Sequence, residues 1–189
     1  MSKVKQQKLT AEDRLPGDPS CRETIERMIR VNQAGEYGAK RIYEGQLSVL
    51  KNTDAEPALR EMLDQELKHL EHFDQLLVQR QVRPTIFQPF WHMAGFALGA
   101  GTALLGKQAA MACTVAVEEV IEEHYEKQSE TLGNDESELR SVIEKFREDE
   151  QQHREIGLAE GAEQAPGYFA LKETIKTGSR IAIWLSTRF

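Results

Sequence analysis

Four long stretches of this sequence carry apolar residues at helical spacing. Each stripe is interrupted, in phase, by a glutamate or by a glutamate and a histidine. From about Cys21 to Leu50 the stripe passes through Ile25 and Ile29, then Glu36, then Tyr43 and Leu47. Glu36 stands seven residues after Ile29 and seven before Tyr43, two turns each way, so it points where the apolar residues point. A second stripe runs Leu59, Met62, Leu63, then Glu66 and His69, then Phe73. A third runs Met111, Val115, Glu118, Tyr125, and a fourth Leu139, Ile143, Phe146, Glu150, His153, Ile156. No stretch alternates convincingly with period two, so the pattern predicts an all-α bundle of four long helices with additional segments.

Punctuation sets the boundaries. "NTDAEP" separates the first two helices, with Thr53 or Asp54 as the expected cap and Pro57 in the first turn. The second helix runs to about Gln79, where "VRPTIFQP" interrupts. The third ends near Leu132 at "GND", and the fourth spans about Asp135 to Gly161. After "APG", a shorter helix covers Tyr168 to about Leu185.

The polar interruptions form a repeat. Glu36 precedes Glu66 by 30 residues, and Glu118 precedes Glu150 by 32. The chain thus reads as two helix hairpins, each giving Glu and then Glu-x-x-His. Four glutamates aimed into a bundle core repel one another and cost several kcal/mol each in desolvation. Two divalent cations remove that cost. Their charge of +4 balances four carboxylates, and two imidazoles complete a donor set suited to iron or manganese. Glu and His three apart share a helix face, so one helix serves one centre with both. The arrangement matches di-iron and di-manganese bundles, in which two helices give one Glu each and the other two give Glu-x-x-His. The expected metal ligands are Glu36, Glu66, His69, Glu118, Glu150 and His153. Glu66 and Glu150 are expected to bridge the metals, and no separate catalytic side chain is assigned.

Neighbouring polar residues receive lesser roles. Glu119, Glu122 and Glu123 read mainly as solvated, with Glu122, one turn from Glu118, the candidate for a supporting contact. His124 is not expected to be a ligand, and His72 reads as a shoulder position. Tyr43 and Tyr125 read as core residues within reach of the ligands.

Phe90 to Val117 differs in kind. "FWHMAGFALGAGTALLG" is apolar and rich in small residues; after Lys107 and Gln108 the chain resumes as "AAMACTVAV". His92 and four glycines weaken it as a membrane span. Two readings stand: a buried central helix pair, or an apolar surface for a membrane or a greasy ligand.

The net charge of -7 argues against a nucleic-acid binder held by phosphate contacts. Cys21 and Cys113 form no C-x-x-C pair and suggest a reducing compartment. Residues 1–20 carry no apolar signal core and read as a flexible polar lead, leaving 21–189 as one domain.

The runs "RVNQAGEYGAKRIYEGQ", "DQELKHL", "FREDEQQHREIG" and the long stretch from "RPTIFQPFWHMAG" to "VAVEEVIEEHY" resemble the Coq7 (Cat5) family of demethoxyubiquinone hydroxylases. The resemblance covers about residues 22–189. It implies a ferritin-like fold and a non-haem di-iron site whose ligands fall on the six residues named above. One departure is "NQAGEYG", where the family pattern reads "DHAGEYG". Asn32 and Gln33 therefore replace an acid and an imidazole about one turn before Glu36.

The resemblance implies an O2-dependent monooxygenase that hydroxylates the ring of demethoxyubiquinol, a polyprenyl benzoquinol, in ubiquinone biosynthesis. It implies two iron ions, O2 as co-substrate and two electrons from outside or from the quinol. With no Gly-x-Gly-x-x-Gly fingerprint, a nicotinamide such as NADH would act directly or through a partner. The expected partners are a membrane surface, other ubiquinone-biosynthesis proteins and a second copy of the chain. The apolar segment, with glycines leaving room for an isoprenoid chain, and "RIAIWLSTRF" are the expected membrane contacts. The expected location is the cytoplasmic face of a bacterial membrane, or the matrix face of the mitochondrial inner membrane for a trimmed chain. The rival is a ferritin-like iron store or a peroxide-handling di-iron protein. The apolar segment disfavours the store, and the lack of a cysteine-rich iron site disfavours a rubrerythrin-like peroxidase.

Overall fold

A computed structural model describes residues 17–189 and is all-α among them. The expected lead of residues 1–20 lies largely outside the described residues. Its last residue, Ser20, opens α1 (Cys21–Leu50) through a capping box. Its hydroxyl accepts from the Glu23 amide, and the Glu23 carboxylate accepts from the Ser20 amide. Asn52, in the left-handed region that asparagine tolerates, turns the chain.

α2 (Glu56–Gln79) starts later than either expected cap would place it, with Pro57 in its first turn as expected. Its N-cap is Ala55, with no side-chain cap. Thr53 instead accepts the Ala55 amide, and Asp54 is drawn away to Lys107, 2.8 Å off. Glu56 accepts from the Asn52 amide and closes the turn.

The apolar stretch is two helices, α3 (Gln88–Leu104) and α4 (Lys107–Thr131), broken at Gly106, whose φ of 112° favours glycine. Their fates differ. α4 is enclosed, with every residue from Ala109 to Glu118 buried. α3 lies outside, against α1, and buries only Gly95, Gly99, Thr102 and Ala103. The expectation of a buried central pair therefore holds for α4 alone. Nor do the glycines of the α3 inner face leave room for a prenyl chain. A Cβ on Gly99 would collide with the Ile42 carbonyl, and one on Gly45 with the Phe96 carbonyl, so α1 already fills that space.

α5 (Ser137–Ala159) follows a short 3-10 turn, and α6 (Tyr168–Arg188) extends three residues beyond the expected end. α6 buries only Ile175 and Ser186. It is tied to α4 by Lys172 and Lys176 on Glu119, at 2.9 and 2.6 Å, and by Arg180 on Glu123. Contrary to the solvated reading, Glu119 is thus paired.

The core helices pack as the two expected hairpins, α1 with α2 and α4 with α5, and polar contacts join the hairpins across the core. On α1 and α4, Asn32 meets Gln128, Tyr43 meets Glu118, and Gln46 meets Ala110. On α2 and α5, Gln65 meets His153, and His69 meets Asp149. Apolar clusters flank the polar middle on both sides. One contains Ile29, Phe73, Ile143 and Phe146, the other Leu59, Met62, Met111 and Val115.

Candidate metal centre

The six phased residues arrive at one place because each sits on the inward stripe of a core helix, midway between the two apolar clusters. Glu36, Glu66, His69, Glu118, Glu150 and His153 are each at most 2% exposed. Their ligand atoms form two groups: Glu36, Glu66, His69 and Glu150, and Glu66, Glu118, Glu150 and His153. Within each group one atom per residue lies within 4.8 Å of the others, a spread that could hold a metal ion. Glu66 and Glu150 belong to both groups.

The site is starved of hydrogen-bond donors. Glu36 Oε2, both oxygens of Glu66, Glu118 Oε2, Glu150 Oε1 and His69 Nδ1 are buried without a hydrogen-bond partner. Unpaired buried carboxylate oxygens are costly, and so many in one spot fit cation ligation. The nitrogens facing them are Nδ1 of both histidines. His69 Nδ1 lies 3.2 Å from Glu150 and 3.5 Å from Glu36, and His153 Nδ1 lies 3.1 Å from Glu150 and 3.2 Å from Glu66.

Protons carry the site's charge balance when no cation does. Burial lowers the basicity of His69, but Glu150 and Glu36 outweigh it and push the pKa up to about 12. His153 behaves alike, with Glu150 and Glu66 pushing it up to about 11. Burial first, then the charge of Glu150, raises Glu66 and Glu118 well above the usual carboxylate range. Glu150 goes the other way. Burial opposes its ionisation, but the two histidines bring it to about 2.

Supporting contacts repeat between the halves. Tyr43 donates to Glu118 Oε1 at 2.7 Å, and Tyr125 donates to Glu36. Both phenols are held well above their ordinary pKa by burial and then by the glutamate each one faces, so they remain donors. The outer nitrogens of the histidines are also engaged. Nε2 of His69 lies 3.1 Å from Asp149 Oδ2, and Nε2 of His153 meets Gln65 Oε1. Asp149 and Gln65 lie off the apolar stripes, so helical phase does not single them out. A signal existed, since each directly precedes the glutamate of a Glu-x-x-His.

Other candidates lie elsewhere. Glu122 pairs with Arg154 at 3.2 Å rather than with a histidine of the cluster. His72 is a shoulder, its ring edge-on to Phe73 and Phe146. His124 closes a polar cluster with Asn32 and Gln128, and burial holds its pKa down at about 4. Gln33 donates to Asp74 at 3.0 Å. The departure at Asn32 and Gln33 is thus absorbed by hydrogen bonds that do not involve the six.

α3 and α6 present the outer apolar surface. Ile86, Phe90, Met93, Leu104 and Leu105 are exposed on and around α3, as are Phe169, Ile181, Trp184 and Phe189 on α6 and at its end. The helices meet where Trp91 donates to Ser186 and where the Phe87 and Phe189 rings meet edge-on. Among the described residues no helix is long and apolar enough to cross a membrane.

The sequence profile described as "Ubiquinone biosynthesis protein COQ7" matches residues 23–186. A Rhodospirillum rubrum protein named 3-demethoxyubiquinol 3-hydroxylase is 57% identical over 180 residues, covering 95% of this chain and 85% of that protein. The Homo sapiens protein named NADPH-dependent 3-demethoxyubiquinone 3-hydroxylase, mitochondrial, is 52% identical over 175 residues, 90% of this chain and 81% of its own. The Saccharomyces cerevisiae protein named 5-demethoxyubiquinone hydroxylase, mitochondrial, is 40% identical over 181 residues, covering 87% and 78%. With its helical bundle, its buried carboxylate and histidine cluster and these matches, the chain belongs to the COQ7 family of ubiquinone biosynthesis proteins.

Proposed function

We propose that the protein hydroxylates the ring of demethoxyubiquinol at a di-iron site, as a monooxygenase of ubiquinone biosynthesis. Glu36 and His69 would hold one iron and Glu118 and His153 the other, with Glu66 and Glu150 shared between them as the bridging ligands. The observation that carries this reading is that Glu66 and Glu150 belong to both ligand groups while the other four residues belong to one each. When bound, the iron pair supplies the activation of O2 that ring hydroxylation requires.

The side chains have their own tasks. Tyr43 and Tyr125 hold Glu118 and Glu36 in orientation. Asp149 and Gln65 keep a proton on Nε2 of each histidine and leave Nδ1 free to ligate. Phe73, Phe146, Met62 and Met111 shut water away from the carboxylates. Two electrons come from outside. The names of the Bos taurus and Homo sapiens relatives specify NADPH, while the Saccharomyces cerevisiae name gives no donor; this supports a reduced nicotinamide, NADPH where the sequence suggested NADH.

The substrate's prenyl tail belongs in a bilayer, and the exposed apolar residues of α3 and α6 suit an interfacial position. The protein therefore sits peripherally on the membrane that makes ubiquinone, on the cytoplasmic face in a bacterium or the matrix face in a mitochondrion. Other proteins of the same synthesis, and a second copy of the chain, are its expected neighbours.

The test is product analysis. Purified protein with Fe2+, NADPH and demethoxyubiquinol, under 18O2, should yield a quinol one labelled oxygen heavier. Two bound irons and steady iron uptake without that product would turn the reading towards iron storage.

A further inference from the structure

The two halves of the site repeat their glutamates, histidines and tyrosines but differ behind the histidines. Tyr43 serves Glu118 as Tyr125 serves Glu36, each tyrosine lying seven residues after the glutamate of its own helix. Behind His69 stands the carboxylate of Asp149, 3.1 Å from Nε2. Behind His153, at the equivalent position one residue before the other bridging candidate, stands the neutral amide of Gln65. The His69 ring is further held by Phe146, stacked at 3.9 Å between centroids.

A carboxylate accepting from the outer N–H makes an imidazole a stronger donor to a metal on its inner nitrogen, and an amide carbonyl does so less. Such outer partners typically set metal affinity by about 10- to 100-fold. We propose that Asp149 and Gln65 make the two metal positions unequal. The position of Glu36 and His69 fills first and holds its ion tightly; the position of Glu118 and His153 fills second and releases its ion more readily. Asp149 and Gln65 are thus positioning residues that rank the two positions. The inference rests on the dinuclear reading above.

Anaerobic titration of the metal-free protein with Fe2+ alone, followed by calorimetry, tests it. The wild type should take up two ions in two steps, the first at least about 10-fold tighter. Asp149→Asn should bring the steps together by weakening the first. Gln65→Glu should bring them together by tightening the second, which no general loss of structure would do. Glu118→Ala should keep the tight step and lose the weak one. Two ions bound in a single step by the wild type, or two steps unmoved in both Asp149→Asn and Gln65→Glu, would overturn the ranking and leave the dinuclear reading standing. Fewer than two ions bound by the wild type would instead overturn the dinuclear reading.

Discussion

Tyr43 and Tyr125 exchange partners across the bundle: each lies seven residues beyond a site glutamate and donates to the glutamate of the other helix. α1 and α4 are thus cross-tied at the level of the proposed metals. Each phenol also satisfies one oxygen of a carboxylate whose other oxygen has no partner.

Removing one tie has a directional effect. Tyr43→Phe leaves Glu118 without its donor, which should lower stability by about 1–3 kcal/mol. Affinity for the ion at Glu118 and His153 should fall about 10-fold or more. Tyr125→Phe should act on the Glu36 position instead. Thermal unfolding and Fe2+ titration of both variants read the two effects; equal losses at both positions in each variant would contradict the assignment.

Glu150 is shared by both ligand groups, so its loss should be felt twice. Glu150→Ala should fail to load two irons and should not hydroxylate the quinol. Metal content per chain decides, and a fully loaded, active variant would end the bridging role.

The metal-free site has a calculable sign with pH. His69 and His153 have folded pKa values raised to about 12 and about 11 from 6.5. Their stabilisation is complete below 6.5 and is lost as pH rises through the raised values. Raised Glu66 and Glu118 act in the same sense above 4.5. Glu150, lowered to about 2, opposes them; its contribution is present above 4.5 and is lost as pH falls towards 2. From about pH 6.5 to 9 the folded chain therefore binds more protons than the unfolded one, and the metal-free Tm should fall. Metal displaces those protons, so Fe2+ affinity should rise over the same range, with proton release measurable by calorimetry in two buffers. A metal-free Tm that climbs with pH would refute this protonation pattern.

The α1–α3 contact makes a paired prediction. Gly99→Ala forces a Cβ into the Ile42 carbonyl and should cost about 1–3 kcal/mol. Gly101, on the same helix, has nothing within 4 Å of an added Cβ, so Gly101→Ala should be neutral or stabilising by up to about 1 kcal/mol. Thermal unfolding of both variants checks the contrast.

The outer apolar face should be separable from the centre. Met93→Glu with Trp184→Glu should weaken binding to phospholipid vesicles at least about 10-fold while leaving two irons per chain. Unchanged vesicle binding would remove these residues from the docking surface.

The sequence made the buried cluster legible because a buried polar residue must share the phase of the apolar residues around it. Glu36 among Ile29, Tyr43 and Leu47 is such a case. Asp149 and Gln65 stayed hidden because they reach their histidines from beside the stripe, where a polar residue usually meets water. α3 was legible as apolar, but a helix apolar on nearly every side does not declare which side is buried. The four-residue step from Gly95 to Gly99 held that answer, since backbones approach only where side chains are absent. The cap of α2 failed for a different reason: Asp54 has a partner 53 residues away in Lys107, and a distant cation outcompeted a local amide.

That glycine contact also has a mechanical meaning. Where two helices touch through side chains, rotamer changes can absorb a displacement. At Gly45 and Gly99 the backbones themselves abut, and nothing lies between them to yield. A load on the outer face of α3 reaches α1, and with it Glu36 and Tyr43, as through a single stiff beam. Glu36 stands six residues before Ile42 and nine before Gly45 on that helix, so a push on α3 meets no side-chain cushion before it meets the helix that carries a carboxylate of the centre.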